Sequence, residues 1–122
     1  PHYVPMEFPA VADRHVVAAL ADAAKKLGHN YMEGITLTKD SYYIQYEPDD
    51  LPSGERFKER WEAWRRANVI TVEMETSALF VIASIRRIRA GAILNRLDFD
   101  KTISVSVEAL RTLIAADQAQ GK

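Results

Sequence analysis

Apolar and polar positions divide the chain into short alternating stretches and longer helical ones. Residues 1–12 carry three prolines and read as an extended lead-in. Asp13 is placed as the N-cap of a helix in which Val16, Val17, Leu20, Ala24 and Leu27 share a face, with Gly28 closing it. Tyr31 to Thr38 reads as a strand, Ile35 and Leu37 on one side and Thr36 and Thr38 on the other. Gly34 inside that run marks a bulge or a close approach by another group. Lys39 to Gly54 is a loop dense in Asp, Pro and Tyr, and loops of that length are often functional.

From Glu55 to about Ala67 the pattern is helical. Phe57, Trp61 and Trp64 are spaced to meet on one face, as core packing in preference to a base-stacking platform. Val69 to Glu73 is the second strand. Glu75 to Ile88 is a helix that is apolar almost all round, through Ala78, Leu79, Phe80, Val81, Ile82, Ala83 and Ile85, and a helix without a polar face must be covered on several sides. Ala90 to Leu94 reads as a short third strand. Thr102 to Val107 alternates like a strand, but Ile103, Val107, Leu110 and Ile114 fit a helical stripe, so a helix is predicted to about Ala116. The tail from Gln118 to Lys122 is expected to fray. Alternating strand and helix with no internal repeat place the chain in the α/β class.

A length of 122 residues suits one domain or part of one. The formal net charge of −1 gives no electrostatic case for nucleic acid or a membrane surface as partner. Two basic clusters, Arg65-Arg66 and Arg86-Arg87 with Arg89, lie in helical patterns among acids and read as solvated faces. The absence of cysteine excludes disulfides, thiolate catalysis and zinc–cysteine sites. His2, His15 and His29 lack metal-ligand spacing, and no glycine-rich phosphate loop is present. No metal and no bound cofactor are therefore expected, and no histidine is placed to serve as base for a serine. No run approaches the roughly eighteen apolar residues of a membrane span. The first residues lack signal-peptide character, and a cytoplasmic location is the default expectation.

The chemistry centres on Val72-Glu73-Met74-Glu75-Thr76. Carboxylates at i and i+2 on a strand point to one side of a sheet. At a strand-to-helix junction the second would also sit in the first helical turn, near the positive end of the helix dipole. Such a pair can grip the neighbouring hydroxyls of a ribose with the methionine against the sugar; it can equally be a strand end followed by an acidic first turn.

The longer string Val72-Glu73-Met74-Glu75-Thr76-Ser77-Ala78-Leu79-Phe80, followed by Arg89-Ala90-Gly91, resembles the nucleoside phosphorylase family and its uridine phosphorylase branch. Pro5-Met6-Glu7-Phe8-Pro9-Ala10-Val11-Ala12-Asp13, Gly34-Ile35-Thr36 with Lys39-Asp40-Ser41-Tyr42-Tyr43, and Leu94-Asn95-Arg96-Leu97 match in order, over nearly the whole chain. The resemblance implies a helix–sheet–helix sandwich around a central mixed sheet. Residues 1–122 would form a single incomplete domain, the C-terminal half, with an N-terminal half missing. It further implies phosphorolysis of uridine to uracil and ribose 1-phosphate in pyrimidine nucleoside salvage. Phosphate is then a co-substrate, no cofactor is needed, and the protein is a homo-oligomer.

By the same resemblance Glu75 accepts hydrogen bonds from the 2′ and 3′ hydroxyls, Met74 packs on the ribose, and Glu73 supports them. Tyr42 stacks on the uracil and Gln45 bonds its O2 and N3 edge, an amide offering both donor and acceptor. Arg96 would lie near O4 and stabilise charge on the departing base, which makes Glu75 and Arg96 the catalytic pair. The plainer readings are an acid at a strand end for Glu73, a loop aromatic tucked on the core for Tyr42, and a solvated loop residue for Gln45. Asn95-Arg96, where the purine branch would carry Ser-Asp, favours a pyrimidine.

Three features depart from the family pattern. Glu47 stands where many members have a second base-contacting arginine. The run from Gly91 to Asn95 is about four residues short, which would shift Arg96 and could turn its side chain about. The phosphate-binding segments and a histidine lent by a neighbouring subunit are absent, so these residues alone are expected not to catalyse. The rival readings are a purine nucleoside phosphorylase or nucleosidase of the same fold, and a non-catalytic assembly module.

Overall fold

The structure, a computed structural model, describes residues 3–96 and 98–121; His2, Leu97 and Lys122, named above, lie outside the described residues. In chain order the elements are α1 (Arg14–Lys26), β1 (Ile35–Thr38), α2 (Tyr43–Tyr46), a 3-10 turn (Pro48–Asp50), α3 (Gly54–Arg66), β2 (Val69–Glu73), α4 (Thr76–Arg86) and α5 (Phe99–Ala119). They fall into two compact units, one of Pro1–Glu33 with Ala78–Lys122 and one of Gly34–Ser77.

In the first unit, α1 begins where the sequence placed it. The Asp13 carboxylate accepts from the N–H groups of His15 at 2.9 Å and Val16 at 3.1 Å, satisfying donors that have no partner within the helix. Gly28, at φ +71°, ends it with its N–H on the Lys25 carbonyl at 3.0 Å, a left-handed position that suits glycine. Ala19, Ala23 and Ala24 of α1 pack against Val105 and Ala109 of α5, with Leu20, Ile93 and Leu113 partly buried around them. Small side chains at this seam let the helices approach closely. Ala109 is only 2% exposed, so Ala109→Leu has no room for its added atoms. We expect it to cost about 1–3 kcal/mol, read as a lower thermal midpoint; an unchanged midpoint would mean that the helices can separate freely.

Three sequence expectations change in this unit. Residues 90–94 form no strand; the Asp13 N–H donates to the Ala90 carbonyl at 2.7 Å, and Ile93 joins the helical core. A Cβ on Gly91 would lie 2.5 Å from Val16 Cγ1, so this segment runs against α1. The final helix starts at Phe99, after an Asp98 cap that accepts from the Lys101 N–H at 3.2 Å, and continues to Ala119, so Gln118 is helical. Its stripe of Ile103, Val107, Leu110 and Ile114 is the exposed face, from 42% for Val107 to 59% for Ile103; the residues that seat α5 are Val105 and Ala109. Ion pairs add to the framework: Lys26 meets Glu108, and Arg89 reaches both carboxylate oxygens of Asp117, at 3.2 and 2.5 Å. Arg89 makes this pair while its side chain stays exposed, in keeping with a solvated basic face.

In the second unit, β1 and β2 run parallel. Thr36 lies opposite Thr71, Leu37 opposite Val72 and Thr38 opposite Glu73, after a register shift between Ile35 and Thr36. A Cβ on Gly34 would come within 2.6 Å of Ile70 Cδ1, which is the close approach its position suggested. The first strand is shorter than the expected run from Tyr31, since pairing begins only at Ile35. The expected loop from Lys39 to Gly54 instead holds α2 and the 3-10 turn.

Phe57 and Trp61 of α3 stack with centroids 5.8 Å apart. Trp61 and Trp64 line an open apolar cleft together with Val69, Ile70, Thr71 and Val72 of β2. Glu62 holds Arg65 at 2.8 Å and Arg66 at 2.9 Å, the solvated face that the charge pattern described. The α/β class holds, with a two-stranded parallel sheet among the described residues.

Candidate active site

Glu73 ends β2 and its carboxylate is occupied by the protein's own donors. Thr38, directly across the sheet, donates its hydroxyl to Oε1 at 2.5 Å. The N–H groups of Glu75 and Thr76 donate to Oε2 at 2.6 and 2.5 Å. Thr38 Oγ1 in turn accepts from the Ser77 N–H at 3.0 Å. One carboxylate therefore caps α4, where unpaired donors and the helix dipole favour negative charge, and ties that helix start to the end of β1. Burial alone would raise the Glu73 pKa, but hydrogen bonds from the Thr38 and Thr76 side chains and the Thr76 and Glu75 backbone outweigh it. The net effect is to hold the group below its ordinary value and keep it anionic at neutral pH.

The two acids do not sit as a strand pair. β2 stops at Glu73 and α4 starts at Thr76, so Met74 and Glu75 form the corner between them and Glu75 precedes the first helical turn. Glu75 bends back to accept from the Met74 N–H at 3.1 Å and is otherwise exposed. Met74 is 39% exposed beside it. Of the pair, Glu73 is committed internally and Glu75 is presented outward.

Tyr42 and Gln45 lie close in sequence to the end of β1. Lys39, the residue after Thr38, donates its backbone N–H to the Glu73 carbonyl at 2.9 Å. Its ammonium stands over the rings of Tyr42 and Tyr46, 5.5 and 5.4 Å from their centroids, and donates to Gln45 Oε1. Tyr42 and Tyr46 rings lie 4.7 Å apart, and Tyr42 remains 55% exposed. Burial lowers the Lys39 pKa; the neighbouring Tyr46, followed by burial, raises that of Tyr42. Gln45, expected in a loop, is in α2.

Glu73, Met74, Glu75, Tyr42 and Gln45 thus belong to one compact unit and are linked through the adjacent residues Thr38 and Lys39. Arg96 belongs to the other unit, exposed in the segment between α4 and α5. The sequence reading gave no role to Thr38, Lys39 or Tyr46. Only strand register sets Thr38 against Glu73, and short motifs carry no register. Among the described residues no group of His, Asp or Glu could hold a metal ion, and no helix is long and apolar enough to cross a membrane.

An outward carboxylate beside a thioether, with a tyrosine pair and an oriented amide in the same unit, suits a polyhydroxylated ligand bearing a flat ring. A family model described as the phosphorylase superfamily matches residues 1–116, and the chain belongs to that superfamily. Its relatives include a uridine phosphorylase of Treponema pallidum, 37% identical over 131 aligned positions that cover 94% of this chain and 51% of the relative. A uridine phosphorylase of Salmonella typhimurium is 39% identical over 95 positions, 75% of this chain and 38% of that protein. A purine nucleoside phosphorylase of Plasmodium vivax is 37% identical over 87 positions, 71% of this chain and 32% of that protein. The chain spans about half the length of the Treponema relative. The alignment of 131 positions is longer than the 122-residue chain, so that relative carries residues this one lacks.

Proposed function

We propose that this chain supplies the ribose- and base-binding side of an enzyme that phosphorolyses uridine to uracil and ribose 1-phosphate in pyrimidine nucleoside salvage. The observation that carries the reading is the continuous link from Glu73 through Thr38 and Lys39 to Gln45. It joins the Met74–Glu75 corner to the tyrosine-flanked amide, as a site that reads sugar and base together requires.

In this reading Glu75 accepts from the 2′ and 3′ hydroxyls, Met74 packs on the ribose, Tyr42 stacks on the uracil and Gln45 bonds its edge. Glu73 supports the corner through its bonds to Thr38, Glu75 and Thr76. Breaking the glycosidic bond builds positive charge on the sugar and negative charge on the departing base. Orientation of the sugar would lower that barrier, as would a cation beside the departing base, the role that the family resemblance gives to Arg96. Phosphate is the co-substrate and no cofactor takes part.

The residues form one incomplete domain of a helix–sheet–helix sandwich with a mixed sheet, in a cytoplasmic homo-oligomer. The exposed apolar stripe of α5 and the exposed Leu79, Ile82 and Ile85 of α4 support burial against further protein, as in a homo-oligomer, because apolar surface of that extent is uncommon on a monomer.

The test is release of uracil and of hypoxanthine by the intact protein, with and without phosphate. The expected result is phosphate-dependent uracil release that exceeds hypoxanthine release from inosine. The Plasmodium vivax match favours a purine as the second reading, and faster hypoxanthine release would establish it. Absence of binding heat with uridine and with ribose 1-phosphate would leave an assembly module.

A further inference from the structure

We propose that Lys39 is a positioning residue that fixes which way the Gln45 amide faces, leaving Nε2 as the group offered to a carbonyl oxygen of the bound base. The inference rests on the nucleoside reading above and gives Lys39, so far only a link between the parts of the site, a role toward the base. A glutamine amide has nearly the same shape in its two flipped orientations, so only its partners choose between them. An ammonium has three donors and no acceptor. With Lys39 Nζ donating to Gln45 Oε1, the flipped amide would set donor against donor, and the oxygen is held on the lysine side.

The anchor is itself constrained at both ends. The Lys39 backbone N–H is bonded to the Glu73 carbonyl at 2.9 Å, and the ammonium lies over Tyr42 and Tyr46 at 5.5 and 5.4 Å from the ring centroids. Cation–π attraction favours a partly buried ammonium over such faces. Lys39 therefore acts on the edge of the base through Gln45, apart from its contact with the Tyr42 ring, and the ligand edge it selects is one that presents a carbonyl oxygen.

The experiment is a double-mutant cycle on uridine phosphorolysis by the intact protein, with Lys39→Met, Gln45→Ala and the combination. Lys39→Met keeps the aliphatic stem and removes the donor. It is expected to lower kcat/KM about fivefold, the scale of one net hydrogen bond, with the change carried by KM. In the Gln45→Ala background the same substitution should add nothing, because its partner is gone. Lys39→Arg, which restores a cationic donor, should recover most of the loss, and the coupling to Gln45 is what separates positioning from a merely structural role.

An equal penalty for Lys39→Met with and without Gln45 overturns the positioning role while leaving the nucleoside reading intact. So does a normal KM in Lys39→Met when Gln45→Ala is impaired. An intact protein that releases no base from uridine, or a Gln45→Ala variant of normal KM, removes the uridine reading and this inference with it.

Discussion

On the proposed uridine reading, replacing Glu75 by alanine in the intact protein is expected to lower kcat/KM for uridine by about 10²–10³-fold and to leave the thermal midpoint nearly unchanged. The carboxylate is exposed, and its one bond within the protein is from the adjacent Met74 N–H at 3.1 Å, so the fold loses little without it. A hydrogen bond to a charged group contributes about 1.5–3 kcal/mol. Two such bonds to vicinal hydroxyls give about 3–4 kcal/mol after partial compensation by water, which is the stated range in rate. Substrate truncation separates this from a general defect. With 2′-deoxyuridine one of the two hydroxyls is already absent, so the same substitution should cost roughly a tenth as much. Equal losses on both nucleosides would show that Glu75 does not hold the 2′ hydroxyl, and a large fall in midpoint would make it a structural residue.

Glu73→Ala should behave in the opposite way, with a large loss of stability and an activity loss that follows from it. The substitution removes the acceptor for the Thr38 hydroxyl and for the N–H groups of Glu75 and Thr76. Loss of a helix cap alone costs about 1 kcal/mol, and a half-buried donor left without its partner adds to that. We expect about 2–4 kcal/mol in total, measured by urea unfolding. A variant as stable as the parent would mean that water replaces the carboxylate at all three donors.

The pH dependence follows from the direction of the Glu73 shift. Its folded pKa lies below the ordinary 4.5, so the unfolded chain takes up a proton first as pH falls. The stabilisation is complete above about 4.5 and is lost as pH drops through the lower folded value. The stability gap between the parent and Glu73→Gln should therefore be widest at neutral pH and close under acid; a gap that widens under acid would reverse the assigned shift.

Much of the local structure was legible because it depends on neighbours in sequence. The Asp13 cap, the Gly28 stop and the junction between β2 and α4 each need only a few adjacent residues. The division of labour between the two acids was not legible. In sequence Glu73 and Glu75 look alike, and what separates them is a hydroxyl 35 residues away that pairing of β1 with β2 brings opposite Glu73. The run Ala90 to Leu94 misled for a related reason. Five apolar residues look the same whether they pair in a sheet or cover a helix, and here the available partner was α1.

The last helix shows the same limit. Its sequence carries apolar residues on more than one face, so periodicity could announce a helix but not say which face would be seated. The sequence by itself determined the α/β alternation, the main capping points and the acid-rich motif, all of which arise from interactions over a few residues. Tertiary structure alone decided that Ala109 rather than Leu110 meets α1, that Glu73 is bound internally while Glu75 is offered outward, and that Lys39 meets Gln45. Those outcomes require groups from separate elements to compete for the same donors and the same space, a competition that exists only once the chain has folded.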